Sequence, residues 1–475
     1  MKTGLNEMTI VEAARALRLP VGSQARATVR ELWDACAAAA HARNPELNAY
    51  LEIFPADDAA IDAAQKRIDA NDPSLLCGIP LAIKDNILIE GRVASAASKM
   101  LEDYHATYDA TVITKLKEAG ALFVGRTNMD EFALGGSTEN SAFGVTKNPH
   151  DTSRVSGGTS GGSAAALAAH MAIAALGTDT GGSVRNPASY CGVVGMKPTY
   201  GAVSRYGVIA TASSFDQVGP IAKTVEDARI LFSVFDGYDA RDSTSIPDEL
   251  YKPKKRKAQT IGVPRHLFTD ALDKDVLERF EFTVKSLGLE VKDITIPSAE
   301  PALAAYYIIN FAEVSTNLAR YDGIRYGLAK RGKTLLDDYL LSRTEGFGEE
   351  ARRRILLGTF VLSSGYIDAY YKKAVAAREQ LTREFEEAFE GVDIIATPTM
   401  PTPAFTIGEK ADPLSLYLED AFTVLANLTG QPAISVPMGS VERDGKNLPI
   451  GLHFTTPLQE DGMLFTAASA VEKVY

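Results

Sequence analysis

Two glycine-rich turns that also carry hydroxyl residues, 157–163 and 178–183, bracket an alanine-rich segment of helical length. Glycine has no Cβ, so backbone N–H groups in such turns can approach a ligand closely. Several N–H groups in one turn can hold an anion, or the oxyanion that develops during acyl transfer. Ser183 directly follows Gly181 and Gly182, and its hydroxyl would lie beside its own oxyanion hole. The pattern fits a catalytic centre, a phosphate loop or a pair of structural turns.

The first turn does not match a phosphate loop. Its sequence GGTSGGS precedes a helical segment but lacks the Gly-Lys-Ser/Thr ending, so no lysine would reach a phosphate. It also lacks the GxGxxG spacing of dinucleotide-binding folds. Nucleotide binding at this turn is therefore disfavoured.

The same turn formally matches the GxSxG elbow of serine hydrolases over residues 158–162. That motif needs a downstream acid and a histidine. His170 falls within the alanine-rich helix, and neither His266 nor His453 lies in a glycine- or aspartate-rich loop. A Ser-His-Asp triad is disfavoured, and another base is needed.

Lys84 is the candidate base. It ends the apolar run 79–83 and precedes Asp85, so we expect it to be at least partly desolvated. Burial disfavours the charged form of a lysine and lowers its pKa toward neutrality. A neutral lysine next to a serine can activate that hydroxyl without an imidazole. Taken alone, Lys84 also fits an ordinary surface lysine.

Three segments together resemble the amidase signature family. They are 78–87 (GIPLAIKDNI), 157–166 (GGTSGGSAAA) and 177–188 (GTDTGGSVRNPA), in the order and spacing of that family's Ser–cis-Ser–Lys triad. The likeness extends over nearly the whole chain and is weakest in the first 50 residues. It implies an α/β fold with one large mixed β-sheet covered by helices on both faces.

The resemblance implies roles for three residues: Ser183 as the nucleophile that forms an acyl ester, Lys84 as the base, and a bridging hydroxyl between them. The family's bridging serine follows a cis peptide bond, and its position here is Thr159, with Ser160 next in the chain. Threonine keeps the hydroxyl, but its methyl group stiffens χ1. Either Thr159 relays the proton or Ser160 takes over, and Thr159 is favoured.

The resemblance also implies an oxyanion hole and a substrate pocket. The backbone N–H groups that would form the oxyanion hole belong to Thr180, Gly181, Gly182 and Ser183. Within the family the chain is most similar to the glutaminase subunits of tRNA-dependent amidotransferases. By that likeness Arg353, or its neighbour Arg354, would pair with the α-carboxylate of glutamine, Asp420 with its α-amino group, and Tyr307 would line the pocket.

The same likeness implies the chain's partners. Ammonia from glutamine would pass to a partner subunit that amidates Glu-tRNA(Gln) or Asp-tRNA(Asn), using ATP and Mg²⁺ at its own site. No cofactor and no metal are expected in this chain. A second, small partner would complete a heterotrimer, with tRNA held mainly by the partner. Two alternatives remain: a stand-alone amidase for another small amide, and a non-catalytic scaffold that retains the fold.

Composition agrees with an intracellular enzyme. The formal net charge of the 475-residue chain is −12, which disfavours a major nucleic-acid-binding role. The three cysteines are scattered without a CxxC pair, so neither a disulfide framework nor structural zinc is expected. No secretion signal or membrane span is indicated, and we expect a cytoplasmic protein. The basic run 251–257 fits a solvated loop better than a nucleic-acid contact.

The elements that must position these residues alternate between short apolar strands and helices. This pattern predicts a buried mixed sheet with helices on both faces. We expect a single domain over 1–475: a helical N-terminal part (1–70), a catalytic signature core (78–235), and a remainder (260–475) that adds strands and substrate-pocket helices. Strand-turn material is predicted at 207–212 and a helix at 413–428.

Overall fold

A mixed sheet of 11 strands organises the computed structural model, which describes residues 4–253 and 257–475. The strands, in chain order, are β1 (Tyr50–Ile53), β2 (Pro80–Lys84), β3 (Leu122–Thr127), β4 (Lys147–Asn148), β5 (Asp151–Val155), β6 (Ala174–Asp179), β7 (Val194–Lys197), β8 (Gln217–Ala222), β9 (Thr260–Val263), β10 (Glu290–Asp293), β11 (Ile394–Pro398), β12 (Ala433–Arg443) and β13 (Lys446–Thr455). Strands β4 and β5 form a separate two-stranded ribbon.

The order of the large sheet is β1-β3-β2-β6-β8-β7-β12-β13-β11-β9-β10. The β3-β2-β6 and β11-β9-β10 neighbours are parallel, and the remaining pairs are antiparallel. Because β2 and β6 are parallel neighbours, their carboxyl ends meet at the same edge of the sheet. Lys84 at the end of β2 and Asp179 at the end of β6 are thereby brought together.

The α-helices fill the connections between strands. They are α1 (Ile10–Leu17), α2 (Val29–Leu47), α3 (Asp58–Asp69), α4 (Thr111–Glu118), α5 (Gly161–Ala168), α6 (Arg185–Cys191), α7 (Val225–Phe235), α8 (Lys274–Ser286), α9 (Ala302–Asn317), α10 (Leu335–Gly346), α11 (Glu349–Leu362), α12 (Lys372–Gly391), α13 (Pro413–Tyr417), α14 (Val424–Thr429) and α15 (Asp461–Val471). Helices α1 and α2 each begin with a capping box, Thr9 with Glu12 and Thr28 with Glu31, which satisfies free N–H groups of the first turn.

Every residue of β2, β6, β7, β8 and β11 is buried. Side chains of a strand alternate between the two faces, so burial of all of them means that both faces of the sheet are covered. The predicted fold class, one large mixed sheet with helices on both faces, is confirmed. One hydrophobic cluster of buried residues extends from Leu5 to Val471.

Residues 207–212 form a turn with an isolated β-bridge from Val208 to Ile87, which fits the predicted strand-turn material. One local prediction was wrong. The helix predicted over 413–428 is broken by a 3-10 turn, Leu418–Ala421, between α13 and α14. The physical reason is tertiary: side chains of this turn and of the residues after it hydrogen-bond to other elements, as described below.

Part of the basic run 251–257, namely 254–256, lies outside the described residues. In the described ranges no helix has the length and apolarity needed to cross a bilayer. Nor does the described part of the chain bring three or more His, Cys, Asp or Glu side chains together as metal ligands.

Candidate active site

Lys84 is completely buried at the end of β2. Its Nζ lies 2.8 Å from Thr159 Oγ1 and 2.8 Å from Ser160 Oγ, and it donates to the Thr178 carbonyl oxygen at 3.2 Å. Burial lowers the pKa of Lys84 to about 7, although nearby carboxylates oppose that shift. An amine with this pKa can accept and return a proton near neutral pH.

Asp130 contacts the first turn, where its N–H donates to the Thr159 carbonyl at 3.3 Å. The peptide bond between Gly158 and Thr159 is cis, at the position where the resemblance places the family's cis bond. The Asp130 carboxylate accepts the N–H groups of Thr138 and Asn140 at 2.9 and 3.0 Å. A Cβ at Gly158 would lie 2.3 Å from Asp130 Oδ2, so only glycine permits this close approach.

The two hydroxyls that face Lys84 differ in their other partners. The Ser160 hydroxyl donates to the Thr178 carbonyl at 3.2 Å and accepts the Thr178 N–H at 3.3 Å. Among the residues described, Lys84 is the one hydrogen-bond partner of the Thr159 hydroxyl. Thr159 therefore keeps hydrogen-bonding capacity for a second partner such as Ser183.

Ser183 lies in the turn between β6 and α6, and 7% of its surface is exposed. The Asp179 carboxylate accepts the N–H groups on both sides of it, from Gly182 at 3.0 Å and from Val184 at 3.2 Å. The Ser160 N–H donates to the Ser183 carbonyl at 3.1 Å and joins the two turns. Within the described chain the Ser183 hydroxyl makes no hydrogen bond, so it is available to a substrate.

The N–H groups of the second turn are not equivalent. The sequence-based prediction placed Gly182 in the oxyanion hole, but its N–H is already bound to Asp179. The physical reason is competition from a fixed carboxylate, which is a stronger acceptor than a neutral carbonyl. The N–H groups of Thr180, Gly181 and Ser183 have no acceptor among the residues described. They remain available for an oxyanion.

Arg185 supports this turn from two directions. It is fully buried and donates to Asp179 through Nε at 3.0 Å and Nη2 at 2.9 Å. It also donates to the Thr423 carbonyl at 2.9 Å, and the Thr423 hydroxyl donates to the Gly181 carbonyl at 2.6 Å. Burial raises the pKa of Asp179, but the Arg185 guanidinium outweighs burial and holds that pKa below its usual range.

Two buried groups of opposite charge, Arg354 and Asp420, both contact Tyr307. The Tyr307 hydroxyl donates to Asp420 Oδ2 at 2.7 Å. The Arg354 guanidinium lies 5.5 Å from the ring centre of Tyr307 and 5.3 Å from that of Tyr417, and its Nε donates to Glu350 at 2.7 Å. Burial raises the pKa of Asp420 to about 7, while the Tyr307 hydrogen bond and Arg354 oppose that shift.

Both charged groups of this pair have capacity left for a ligand. Arg354 uses Nη1 for Asn310 Oδ1 at 3.0 Å; among the residues described, neither Arg354 Nη2 nor Asp420 Oδ1 has a partner. The cluster also lies against the nucleophile turn. The ring centre of Tyr306 is 5.1 Å from that of Tyr307, and a Cβ at Gly181 would be 2.3 Å from the Tyr306 hydroxyl oxygen. The cluster can therefore offer a cation and an anion to one small molecule.

Arg353 lies outside this cluster. Its side chain is 34% exposed and pairs with Glu349 and Glu350 on its own helix. Of the two neighbouring arginines that the sequence offered, the structure places Arg354 beside Tyr307, which corrects the choice of Arg353. Helical phase is the reason, since the buried positions recur every three or four residues. These positions in α11 are Glu350, Ala351, Arg354, Gly358 and Val361.

Sequence reasoning missed the residues that hold the turns in place. Asp130, Asp179, Arg185 and Thr423 act through side-chain bonds between distant elements, which no local pattern encodes. Asp179 and Arg185 did carry one signal, since both lie within the glycine-rich segment 177–188 beside the proposed nucleophile.

Comparison with known proteins agrees with this geometry. The profile of the amidase family matches residues 31–465. The A subunit of glutamyl-tRNA(Gln) amidotransferase from Thermodesulfovibrio yellowstonii is 53% identical over 424 residues, 87% of each chain. The protein of the same name from Syntrophus aciditrophicus is 50% identical over 441 residues, 90% of each chain.

A solved structure agrees as well. The crystal structure of the corresponding glutamyl-tRNA(Gln) amidotransferase chain from Thermotoga maritima superposes with a TM-score of 0.80 at 40% identity, over 100% of this chain and 96% of that one. This chain belongs to the amidase family. Its predicted membership, and its closer likeness to the tRNA-dependent amidotransferase subunits, are confirmed.

Proposed function

We propose that this chain is the glutamine-hydrolysing subunit of a tRNA-dependent amidotransferase. The observation that carries the proposal is that the buried Arg354 and Asp420 both contact Tyr307, whose neighbour Tyr306 packs against the turn that holds Ser183. One cation and one anion close to the same tyrosine ring favour a zwitterionic amino acid, whose side-chain amide would then face Ser183. The names of the similar proteins support the same function.

In the acylation step, the Ser183 oxygen attacks the side-chain amide carbon of glutamine. Its proton passes to Thr159 Oγ1 while the Thr159 proton passes to the neutral Lys84 amine, which lies 2.8 Å away. Free N–H groups of the second turn stabilise the oxyanion as it forms. Lys84 then returns the proton through Thr159 to the leaving nitrogen, and the C–N bond breaks to release ammonia.

In the deacylation step, water attacks the ester that Ser183 has formed. The relay removes a proton from the water and returns one to the Ser183 oxygen as the C–O bond breaks. Glutamate leaves, and the enzyme returns to its starting protonation state. Each step needs Lys84 to change between its neutral and charged forms, which its pKa of about 7 permits.

The ammonia passes to a partner subunit that amidates Glu-tRNA(Gln) or Asp-tRNA(Asn) in the cytoplasm. ATP and Mg²⁺ act at that partner, and a second, small subunit completes a heterotrimer. A net charge of −12 fits a chain that leaves most tRNA contacts to its partner. Co-purification from the native source tests this assembly: one small and one larger partner are expected. Isolation of the chain alone, fully active on glutamine, would favour a stand-alone amidase.

Replacing the nucleophile tests the chemistry. We expect Ser183→Ala to lower glutamine hydrolysis by the purified complex by about 10⁴-fold or more, because the acyl ester cannot form. Glutamate release is the measurement, and amidation supplied with free ammonia serves as the control for intact partners. A Ser183→Ala complex with full glutaminase activity would refute the mechanism.

The adjacent arginines test the substrate. We expect Arg354→Lys to raise KM for glutamine about 10- to 100-fold, because a hydrogen bond to a charged group contributes about 1.5–3 kcal/mol and lysine cannot reproduce the planar fork. Arg353→Lys is the matched control and should leave KM unchanged. An Arg354→Lys variant whose KM for glutamine is also unchanged would count against this binding role and favour the alternative, a stand-alone amidase for another small amide.

A further inference from the structure

His453 lies in the middle of β13, between β11 and β12. It is opposite Thr397 on one neighbouring strand and Ser435 on the other, and only 3% of its surface is exposed. Its Nε2 lies 2.8 Å from Arg185 Nη1, and its Nδ1 lies 3.3 Å from Thr397 Oγ1. The mechanism proposed above does not use this histidine, and its sequence context provides no reason to expect a role.

The hydrogen bonds of Arg185 determine which form of His453 the structure requires. A guanidinium carries five N–H donors and no acceptor. The acceptors around Arg185 are the two Asp179 oxygens, Thr423 O, Asn427 Oδ1 and His453 Nε2. Five donors thus meet five acceptors, and Nε2 must be the unprotonated nitrogen. The proton is on Nδ1, facing Thr397.

Arg185 transmits this arrangement to the nucleophile turn. Its Asp179 partner fixes the N–H groups of Gly182 and Val184, the two residues that flank Ser183. Loss of one acceptor would leave a buried N–H donor unsatisfied and let the guanidinium rotate toward other partners. A small displacement of the turn would move both the serine hydroxyl and the oxyanion donors.

We propose that His453 is a positioning residue for the amidase reaction. It accepts the fifth hydrogen bond of Arg185, and Arg185 in turn keeps the Ser183 turn in its reactive geometry. The proposal rests on the proposed function for its natural substrate. It does not depend on glutamine for its test, because the same turn must react with any acylating reagent.

Two substitutions at this position separate the lost hydrogen bond from the lost ring. His453→Leu removes the acceptor and puts an apolar side chain of similar reach in its place. His453→Gln places an amide oxygen near the position of Nε2, where it can accept from Arg185. Phe454→Leu is the control for a general packing defect, because this buried neighbour in β13 points to the opposite face of the sheet.

The primary measurement is the rate at which a sulfonyl fluoride modifies Ser183, followed by mass spectrometry of the intact chain. The serine oxygen forms a bond to sulfur, fluoride leaves, and the serine proton passes to the relay. We expect His453→Leu to slow this reaction about 10- to 100-fold, and His453→Gln to restore it to within about threefold of the unmodified chain. Phe454→Leu should lower thermal stability without slowing the modification.

Glutamine kinetics in the purified complex give the second readout. For His453→Leu we expect kcat to fall by a similar factor while KM changes less than about twofold, because the Arg354–Asp420 pair is untouched. Three results would overturn the proposal. The first is an unchanged modification rate in His453→Leu, and the second is a folded His453→Gln variant as slow as His453→Leu. The third is a wild-type Ser183 that does not react. A wild-type chain that reacts with the reagent but does not hydrolyse glutamine contradicts the proposed function alone.

Discussion

Lys84 has two hydroxyl partners at the same 2.8 Å distance, and substitution can tell which one relays the proton. We expect Thr159→Val, which keeps the shape of the side chain, to lower Ser183 acylation about 10²- to 10⁴-fold, the range of a lost general acid–base step. Thr159→Ser should retain most of the rate. Ser160→Ala, the matched control, should lose less than Thr159→Val, since Ser160 is bound to Thr178. The reverse ranking would assign the relay to Ser160.

The protonation of Lys84 also predicts a pH dependence at the residue scale. Only the neutral amine can accept the proton, and its pKa is lowered by burial to about 7. The acylation rate should therefore rise about tenfold per pH unit below pH 7 and level off above it. The measurement is Ser183 modification by a neutral sulfonyl fluoride from pH 5.5 to 9. A neutral reagent is needed because Asp420 also has a pKa of about 7 and would affect glutamine binding.

A flat profile over that range would show that Lys84 is not the base. The lowered pKa of Lys84 also makes the free energy of unfolding depend on pH. A lysine whose folded-state pKa is lowered binds fewer protons when folded than when unfolded, so this group favours folding more as pH rises from about 7 toward its ordinary value.

The three proposed catalytic residues were the easiest to single out from the sequence. Lys84, Thr159 and Ser183 lie in three short segments whose glycine and hydroxyl patterns are visible in the sequence. The use of the Gly182 N–H was not predictable in the same way, because it depends on the conformation of the Asp179 side chain. The choice between Arg353 and Arg354 depended on helical phase, where an error of one residue turns a side chain from the pocket to solvent.

At the scale of elements, the close approach of α9 to the second turn leaves no room for a side chain at position 181. A Cβ at Gly181 would lie 2.3 Å from the Tyr306 hydroxyl oxygen and 2.6 Å from its Cζ. Tyr306 cannot move away easily, because it is buried against Phe215, with ring centres 5.3 Å apart. We therefore expect Gly181→Ala to displace the turn and reduce Ser183 acylation about 10- to 100-fold.

Gly462→Ala is the matched control for that substitution. Gly462 is exposed at the start of α15, and a Cβ there would meet no atom within 4 Å. Its acylation rate should equal that of the unmodified chain. A Gly181→Ala variant as fast as Gly462→Ala would mean that Tyr306 yields and does not constrain the turn.

Elements could be predicted where periodicity and apolar runs are strong, as for β2 and β6. Their adjacency could not, because a parallel pair separated by about 90 residues of sequence is set by the whole sheet and leaves no local pattern. The broken helix at 413–428 has a similar cause. Tyr307 binds the side chain of Asp420, and Thr423 binds Gly181, so tertiary bonds replace a continuous helix there.

At the scale of the whole molecule, the site draws on both ends of the chain. Lys84 and Ser183 come from the first half, while Asp420, Thr423 and His453 come from the last 60 residues. Strand β7 pairs with β12 in the middle of the sheet, so the two halves share one hydrogen-bonded layer. From this topology we expect the three sequence regions 1–70, 78–235 and 260–475 to fold as one domain.

The single tryptophan of the chain, Trp33, gives a direct test of that unity. Trp33 lies in α2, is 3% exposed, and packs in the hydrophobic cluster that continues to Val471. If the chain is one cooperative unit, the Trp33 fluorescence transition in urea should coincide with the far-UV circular dichroism transition and with loss of Ser183 acylation. A fluorescence transition at distinctly lower urea would show that the N-terminal helices unfold on their own. If Ser183 acylation persists beyond that transition, 1–70 would count as a separate unit.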